Sequence, residues 1–285
     1  MNVIQYKNAE DFLAAAGELL YQHEARNCLT IGIVERLQGD PTAYGEISPY
    51  LAVVFDGGTP LLAGTMTPPY GVLVSPLGED PDACIPVLAA DLIAGEWPLP
   101  DVHAVNPYGE RFAEAWAAQS GGSYALEMAQ RIYELREVTH PQGVPGRFLQ
   151  AQPEHTDLVR DWWRAFEVEA IGTEPDPARL QRAATNRVQA GDWFLWEDTG
   201  EIVSMCLKTR PTRTGCSVSG VYTPPEKRGR GYASACVAAL SQRMLDAGFE
   251  FTSLFTDLAN PTSNSIYMKI GYRPLADFDK YRLVG

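Results

Sequence analysis

The stretch VYTPPEKRGRGYASACVAAL, residues 221–240, decides how the chain is read. It opens as an apolar strand, brakes at Pro224-Pro225, and sets Lys227, Arg228 and Arg230 around Gly229 and Gly231. It closes at helical spacing, with Ala233, Val237, Leu240 and Met244 on one face and Gly248 at the stop. Glycines let main-chain N–H groups turn toward one point without a Cβ in the way. The unpaired N–H groups and dipole of a helix start favour an anion there. With the three cations added, the stretch predicts a cradle for a pyrophosphate. A glycine turn with solvated charges is the plain alternative. The GxxxxGK[ST] of P-loop nucleotide hydrolases and the GxGxxG of dinucleotide folds are both absent from the sequence.

Outward from this stretch, the second half reads as a strand near RFLQA, then a helix at HTDLVRDWWRAFEVEA. Asp176 caps a further helix with Pro177 at its first position. WFLWED and EIVSMCLKT flank the turn Asp198-Thr199-Gly200 as a hairpin, and GCSVSGVYT is the strand that enters the cradle. FEFTSLFTDL reads as strand, SNSIYMKI as helix, and YRPLADF with KYRLV as a closing pair of strands.

The first half has the same order. A helix at DFLAAAGELLYQHEARN precedes strands at YLAVVFD, PLLAGTMT and GVLVS. A helix at ACIPVLAADLI, a strand at DVHAVN, a helix at ERFAEAWAAQ and a strand near RIYELREV follow. GVLVSP (71–76) lies over GVYTPP (220–225), and His103 to Pro107 over Asp257 to Pro261, as in a duplication. The Pro- and Gly-rich run at 139–147 reads as a linker between domains 1–138 and 148–285.

Arg228-Gly229-Arg230-Gly231-Tyr232-Ala233 fits [Q/R]-x-x-G-x-[G/A] after a strand ending in Pro, and resembles the coenzyme A site of the GCN5-related N-acetyltransferase (GNAT) family. Asn260, Ser263, Tyr267, Lys269, Gly271 and Tyr272 resemble the family's next segment. The resemblance covers about 148–285 and reaches the first half only in outline. It implies an α+β fold: a mixed, mostly antiparallel sheet flanked by helices, the acyl-CoA N-acyltransferase fold, here expected twice in tandem. It implies acetyl-CoA as cofactor and no metal. Val221, Tyr222 and Thr223 would line the pantetheine through their main chain, with Gly220 at a bulge. N–H groups from Gly229 through Arg230, Gly231, Tyr232 and Ala233 to Ser234 would hold the pyrophosphate, beside the Arg228 side chain. Asn260 would bind the pantetheine, and Tyr267 would sit beside the thioester sulfur.

The expected activity is transfer of acetyl to a primary amine by direct attack on the thioester. A main-chain N–H of Tyr222 or Thr223 would meet the oxyanion. Tyr267 would assist the leaving thiolate. The strand before the cradle offers Ser217, Ser219 and Gly220 where many family members carry a Glu, which leaves the base open. Glu167, Glu169 and Glu174 on the expected acceptor wall, with Asp257, are the carboxylate candidates, and a solvated helix face is the bland reading of each. Trp162, Trp163, Phe166, Trp193 and Trp196 are mostly core, with one or two free to line an acceptor pocket.

In the first half Glu79, Asp80, Pro81 and Asp82 fall at the cradle position and would repel phosphate. Asn106 plus seven is Ala113, so the tyrosine position is empty. Residues 1–138 therefore read as a degenerate domain that packs and shapes the acceptor cleft.

The net charge of −13 argues against a nucleic-acid partner and fits a cationic acceptor: a small amine, a lysine or an N-terminal amine. Residues 1–147 hold seven Lys+Arg against 19 Asp+Glu, a net −12, so the second half is where an anion would be met. Five scattered cysteines fit buried thiols of a cytoplasmic protein, and four dispersed histidines give no metal spacing. No signal peptide or membrane-spanning run is read, and the oligomeric state is open. The rival functions are a CoA-responsive sensor with little catalysis and an amide-forming ligase on two such domains.

Overall fold

YLAVVFD, residues 50–56, is apolar at nearly every position, and the structure explains why. Tyr50, Ala52 and Val54 enter one buried cluster while Leu51 and Val53 enter another, so this strand is covered on both faces. The structure is a computed structural model that describes residues 1–170, 172 and 174–285. They form two compact units. One comprises Met1–Tyr133, Phe255–Pro261 and Pro274–Gly285; the other comprises Glu134–Leu254 and Thr262–Arg273.

The first unit contains β1 (Asn2–Gln5), α1 (Ala9–Tyr21), α2 (Cys28–Gly39), β2 (Tyr50–Asp56), β3 (Thr59–Met66) and β4 (Val72–Pro76). It continues with α3 (Ile85–Ala94), β5 (Asp101–Val105), α4 (Tyr108–Ser120) and nearly all of β6 (Ser123–Leu135). The sheet order is β1-β2-β3-β4-β5, followed by the C-terminal strand β12 (Arg273–Val284) and then β6. β4 and β5 run parallel, and the pairs β1–β2, β2–β3, β3–β4 and β5–β12 run antiparallel. α1 and α2 cover one face around Phe12, Leu20, Ile31 and Val34, and α3 and α4 cover the other around Leu88, Leu92 and Phe112.

The second unit contains β7 (Arg147–Gln150), α5 (Thr156–Ala170), α6 (Pro177–Gln189), β8 (Trp193–Asp198), β9 (Glu201–Thr209) and β10 (Gly215–Tyr222). It closes with α7 (Tyr232–Asp246), most of β11 (Phe251–Asp257) and α8 (Pro261–Lys269). Its sheet order is β11-β10-β9-β8-β7, with β10 and β11 parallel and the rest antiparallel. Asp176 caps α6 as expected, accepting from the Arg179 N–H at 2.7 Å. Thr199 and Gly200 both take positive φ between β8 and β9, the geometry of a two-residue hairpin loop. The order β2-β3-β4-α3-β5-α4 in the first unit repeats as β8-β9-β10-α7-β11-α8 in the second, with the same parallel step. All five cysteines are buried free thiols.

Three expectations change. The long helix read at residues 11–27 stops at Tyr21, and α2 starts separately at Cys28. The two closing strands are one, β12. The compact units are also not contiguous in sequence. β12 pairs with β5 from Val105↔Phe278 to Asp101↔Arg282, and buries Tyr281 and Leu283 in the first unit's core. Apolar alternation alone says that a strand has a buried face, not which sheet supplies the partner.

This placement yields a stability contrast along one strand. Leu283→Ala empties a site that is 6% exposed and should cost about 2–4 kcal/mol. Leu275→Ala removes a side chain that is 44% exposed and should stay within about 0.5 kcal/mol. Urea unfolding of the two variants checks it.

Candidate functional site

In the second unit, parallel pairing between β10 and β11 runs from Gly215↔Phe251 to Ser217↔Ser253 and goes no further. The Ser217 and Ser253 hydroxyls meet at 2.9 Å at that point. On the other side, the register of β10 against β9 shifts between Ser219 and Tyr222. This is the bulge expected at Gly220, which takes a φ of +57°. A Cβ there would lie 2.7 Å from the Trp193 ring, so both conformation and space require glycine. Past the bulge, the main chain of residues 221–223 is free of the β11 register.

Two hydroxyls fix the next peptide. Ser204 on β9 donates to the Tyr222 carbonyl at 3.1 Å and accepts from Thr223 Oγ1 at 2.9 Å. In a trans peptide the C=O and the following N–H point opposite ways. Holding the Tyr222 carbonyl on Ser204 therefore turns the Thr223 N–H to the other side.

The cradle follows. A 3₁₀ turn at Pro225–Lys227 leads to Gly229 at φ +76° and Gly231 at φ +83°. Gly231 is the N-cap of α7 and brings no side chain to the first-turn N–H groups. A Cβ on Gly231 would come within 2.9 Å of Val144 Cγ2, whereas one on Gly229 would meet nothing within 4 Å. The helix start is bare main chain next to open space, which suits a pyrophosphate.

The three cations differ. Lys227 is ion-paired with Glu201. Arg228 donates from Nε to the Thr223 carbonyl at 2.9 Å and from Nη2 to Glu169 at 2.7 Å, with its guanidinium 5.8 Å from the Tyr222 ring centre. The hydrogen bond to Glu169 pushes the guanidinium above its ordinary pKa. Arg230 is exposed and has no hydrogen-bond or ion-pair partner among the described residues. Tyr232, the first residue of α7, is buried and donates to Asp198 at 2.6 Å.

α5 forms an aromatic wall in the same unit. Trp162 stands 5.9 Å from Tyr222, and Trp163 packs edge-on against Trp193 at 5.3 Å. Glu167 is half-buried and accepts from the Trp163 indole N–H at 3.0 Å. Glu174 is ion-paired with Arg164. Of the carboxylates singled out in the sequence, Glu167 thus lies on the aromatic wall and Glu169 on the cradle's Arg228. The Glu169–Arg228 pair had no signal in the sequence, since its members are 59 residues apart.

Tyr267 lies buried on α8, 6.0 Å from the Tyr272 ring. Burial, helped by Cys206 nearby, holds its phenol well above the ordinary value, so it keeps its proton throughout the neutral range. Asn260 and Asp257 fall in the segment grouped with the first unit, where the Asn260 N–H bonds the Asp257 carbonyl at 3.0 Å. In the first unit, Asp82 of the acidic run is ion-paired with Arg111, and Asn106 donates to Asp279 at 2.8 Å. Among the described residues no group of acids, histidines and cysteines has metal-site geometry, and no helix is long and apolar enough to cross a membrane.

The pattern of the Acetyltransferase (GNAT) family matches residues 156–272, from the start of α5 through the cradle and α8. This segment carries the family's pattern. A curated mycothiol acetyltransferase from Pseudarthrobacter chlorophenolicus is 27% identical over 162 residues, 52% of this chain and 48% of that protein. The chain thus spans about half the length of the curated relative it matches. A GCN5-related N-acetyltransferase from Sphaerobacter thermophilus superposes with a TM-score of 0.66 at 15% identity, over 98% of this chain and 95% of that one. A tandem GNAT protein from the clavulanic acid biosynthesis pathway gives 0.57 at 14%, over 98% and 97%. Likeness at such identity speaks for the fold, and the fold is two acyl-CoA N-acyltransferase units in tandem. The domain at 156–272 is an acyltransferase domain of the GNAT type.

The two glycines of this GNAT site separate by experiment. Gly220→Ala meets both strain and the Trp193 ring and should cost about 2–4 kcal/mol. Gly229→Ala meets strain alone and should cost about 1–2 kcal/mol. Denaturant unfolding of the two variants gives the comparison.

Proposed function

We propose that this GNAT chain is an N-acetyltransferase that moves acetyl from acetyl-CoA to a cationic primary amine: a small molecule, a lysine or an N-terminal amine. The observation that carries the reading is the bare N-terminus of α7 behind Gly229 and Gly231, with Arg230 unpaired beside it.

Acetyl-CoA supplies an activated thioester. Main-chain N–H groups from Gly229 to Ser234, with Arg230, take the pyrophosphate. Val221 lines the pantetheine with main-chain groups outside the β11 register, and Thr223, whose carbonyl accepts from Arg228, adjoins it. The Thr223 N–H, turned away from Ser204, meets the oxygen on which charge develops, with Tyr222 the alternative donor. Asn260 is kept as a pantetheine ligand on the resemblance of its motif. Glu169 is engaged by Arg228, so Glu167 is the better candidate to take the amine's proton through water. Trp162 and Tyr222 offer faces to the cationic acceptor before it loses that proton.

Tyr267 is assigned to the leaving sulfur. A free thiol has a pKa near 8.5, well below this raised phenol, so the hydroxyl serves as a hydrogen-bond donor. Tyr267→Phe keeps the ring and loses the donor. We expect kcat and kcat/KM to fall together by about 10²–10⁴, with CoA affinity little changed. A kcat within about threefold of wild type makes Tyr267 a packing residue. The raised phenol also sets a sign: the donor is lost only as pH climbs above the ordinary tyrosine value. Any Tyr267-dependent alkaline limb of kcat therefore lies above about pH 10.

The cofactor reading is tested by titration calorimetry on the full chain. One CoA per chain is expected, because Glu79, Asp80 and Asp82 occupy the corresponding run of the first unit. A stoichiometry of two overturns the view that this unit is degenerate. Arg230→Glu changes an exposed, unpaired side chain, so it should leave folding intact and weaken CoA at least tenfold. Release of free thiol from acetyl-CoA with a panel of polyamines, amino sugars and lysine separates an enzyme from a sensor. A chain that binds CoA yet releases no thiol with any of them is the sensor.

A further inference from the structure

We propose that the first unit holds a binding site for a single carboxylate, at the N-terminus of α2 beside β4 and β5. The proposal is independent of acetyl transfer. A small, partly open cavity of about 10 Å³ lies there, walled by Arg26, Asn27, Thr30, Ser75, His103 and Phe278 among others. Its polar wall is unsatisfied in a way that points to an anion.

Arg26 is half-buried, and its Nε is shut off from water without a hydrogen-bond partner. Among the described residues no carboxylate is paired with it, although the first 147 residues carry a net −12. Burial pushes its pKa down, as expected for a cation whose water has not been replaced by a counter-charge. The His103 Nε2 is equally shut off and without a partner. The His103 ring is packed between Phe255 at 5.9 Å and Phe278 at 5.4 Å, so it cannot swing out to water. Burial and Lys280 push this imidazole down to about 4, though Gln130 hydrogen-bonds it. It is therefore neutral, with one ring nitrogen bonded to Gln130 and Nε2 left without a partner.

Two more donors converge on the same place. Asn27 caps α2 without a side-chain hydrogen bond to the helix, its amide nitrogen bonding the Leu20 carbonyl instead. The first-turn N–H groups of this 12-residue helix thus lack a side-chain acceptor. The Thr30 and Ser75 hydroxyls meet at 2.8 Å. Only one proton lies between them, so one O–H remains to donate elsewhere.

A guanidinium N–H, a helix start and a hydroxyl make a donor-rich wall around room for one water-sized atom. One positive charge matches a monoanion, and a carboxylate oxygen can accept from the Arg26 Nε–H. A dianionic phosphate brings more charge than the wall compensates. One carboxylate oxygen enters while the rest of the ligand faces the open side.

The test uses the full-length protein with formate and acetate as probes, against chloride and phosphate at matched ionic strength. Formate and acetate are expected to raise Tm saturably and to shift the amide resonances of Leu29 and Thr30. Arg26→Met is expected to weaken both at least tenfold, and Arg26→Lys, which keeps the charge but loses the Nε–H, to fall between. Equal potency of chloride or phosphate overturns the carboxylate reading. Wild-type spectra in which Leu29 and Thr30 do not respond overturn the site itself, whatever the stability of the variants.

Discussion

Gly220 and Trp193 cannot both have a side chain in the same place, and the second unit is built around that exclusion. The Trp193 ring takes the space, residue 220 gives up its Cβ, and the backbone there turns to positive φ. The strand consequently bulges against β9 just after it parts from β11. Main-chain groups that a regular sheet would consume are left over, and Ser204 orients one of the freed peptides. Further along the chain the same economy recurs at Gly229 and Gly231. A helix then begins with no side chain over its N–H groups. The recognition surface is therefore mostly backbone, which is why a few glycines weigh more here than many larger residues.

The duplicated scaffold shows how little of this is fixed by the fold. The first unit repeats the order of elements and the parallel step, and β4–β5 stands where β10–β11 stands in the second. Its corresponding run carries Glu79, Asp80, Pro81 and Asp82 where the second has Arg228, Gly229, Arg230 and Gly231, and Asp82 is spent on Arg111. The Asn106 amide is spent on Asp279. The same backbone frame thus carries opposite electrostatic fields. Arg26 of this unit lies beside the β4–β5 strand pair rather than along the loop before α3. The carboxylate proposed there and the pyrophosphate proposed at α7 would be different solutions to the same geometric opportunity, a helix start beside parallel strands.

What the sequence made legible was local. The glycine turn before α7, the Gly220 bulge, the Asp176 cap and the hairpin at Thr199-Gly200 each depend on a few adjacent residues, and each is present. The partner of the last strand was not legible, because alternation in RPLADFDKYRLV is satisfied by any sheet edge with a complementary face. The break between α1 and α2 was hidden because QHEARN has no Gly or Pro to mark it; the turn there is made by main-chain bonds such as Asn27 N–H to the His23 carbonyl. Pairings across long sequence gaps, Arg228 with Glu169 or Arg26 with the His103 cavity, leave no periodic trace.

The division of labour among the three cradle cations follows from those long-range pairings. Lys227 and Arg228 already have carboxylate partners, so an incoming pyrophosphate must compete with Glu201 and Glu169 for them. The Arg228–Glu169 pair is solvent-exposed at both ends, and exposed pairs contribute little net free energy, so competition there costs little. It has a directional effect, however. Arg228 is held by Glu169 from α5 and by the Thr223 carbonyl from the cofactor strand, and it leans on Tyr222, which faces Trp162 of α5. A dianion that draws Arg228 away frees a carboxylate on the aromatic wall at the same moment. On the proposed function, that side of α5 would become more negative when the donor arrives, which would favour donor before acceptor without any movement of the backbone.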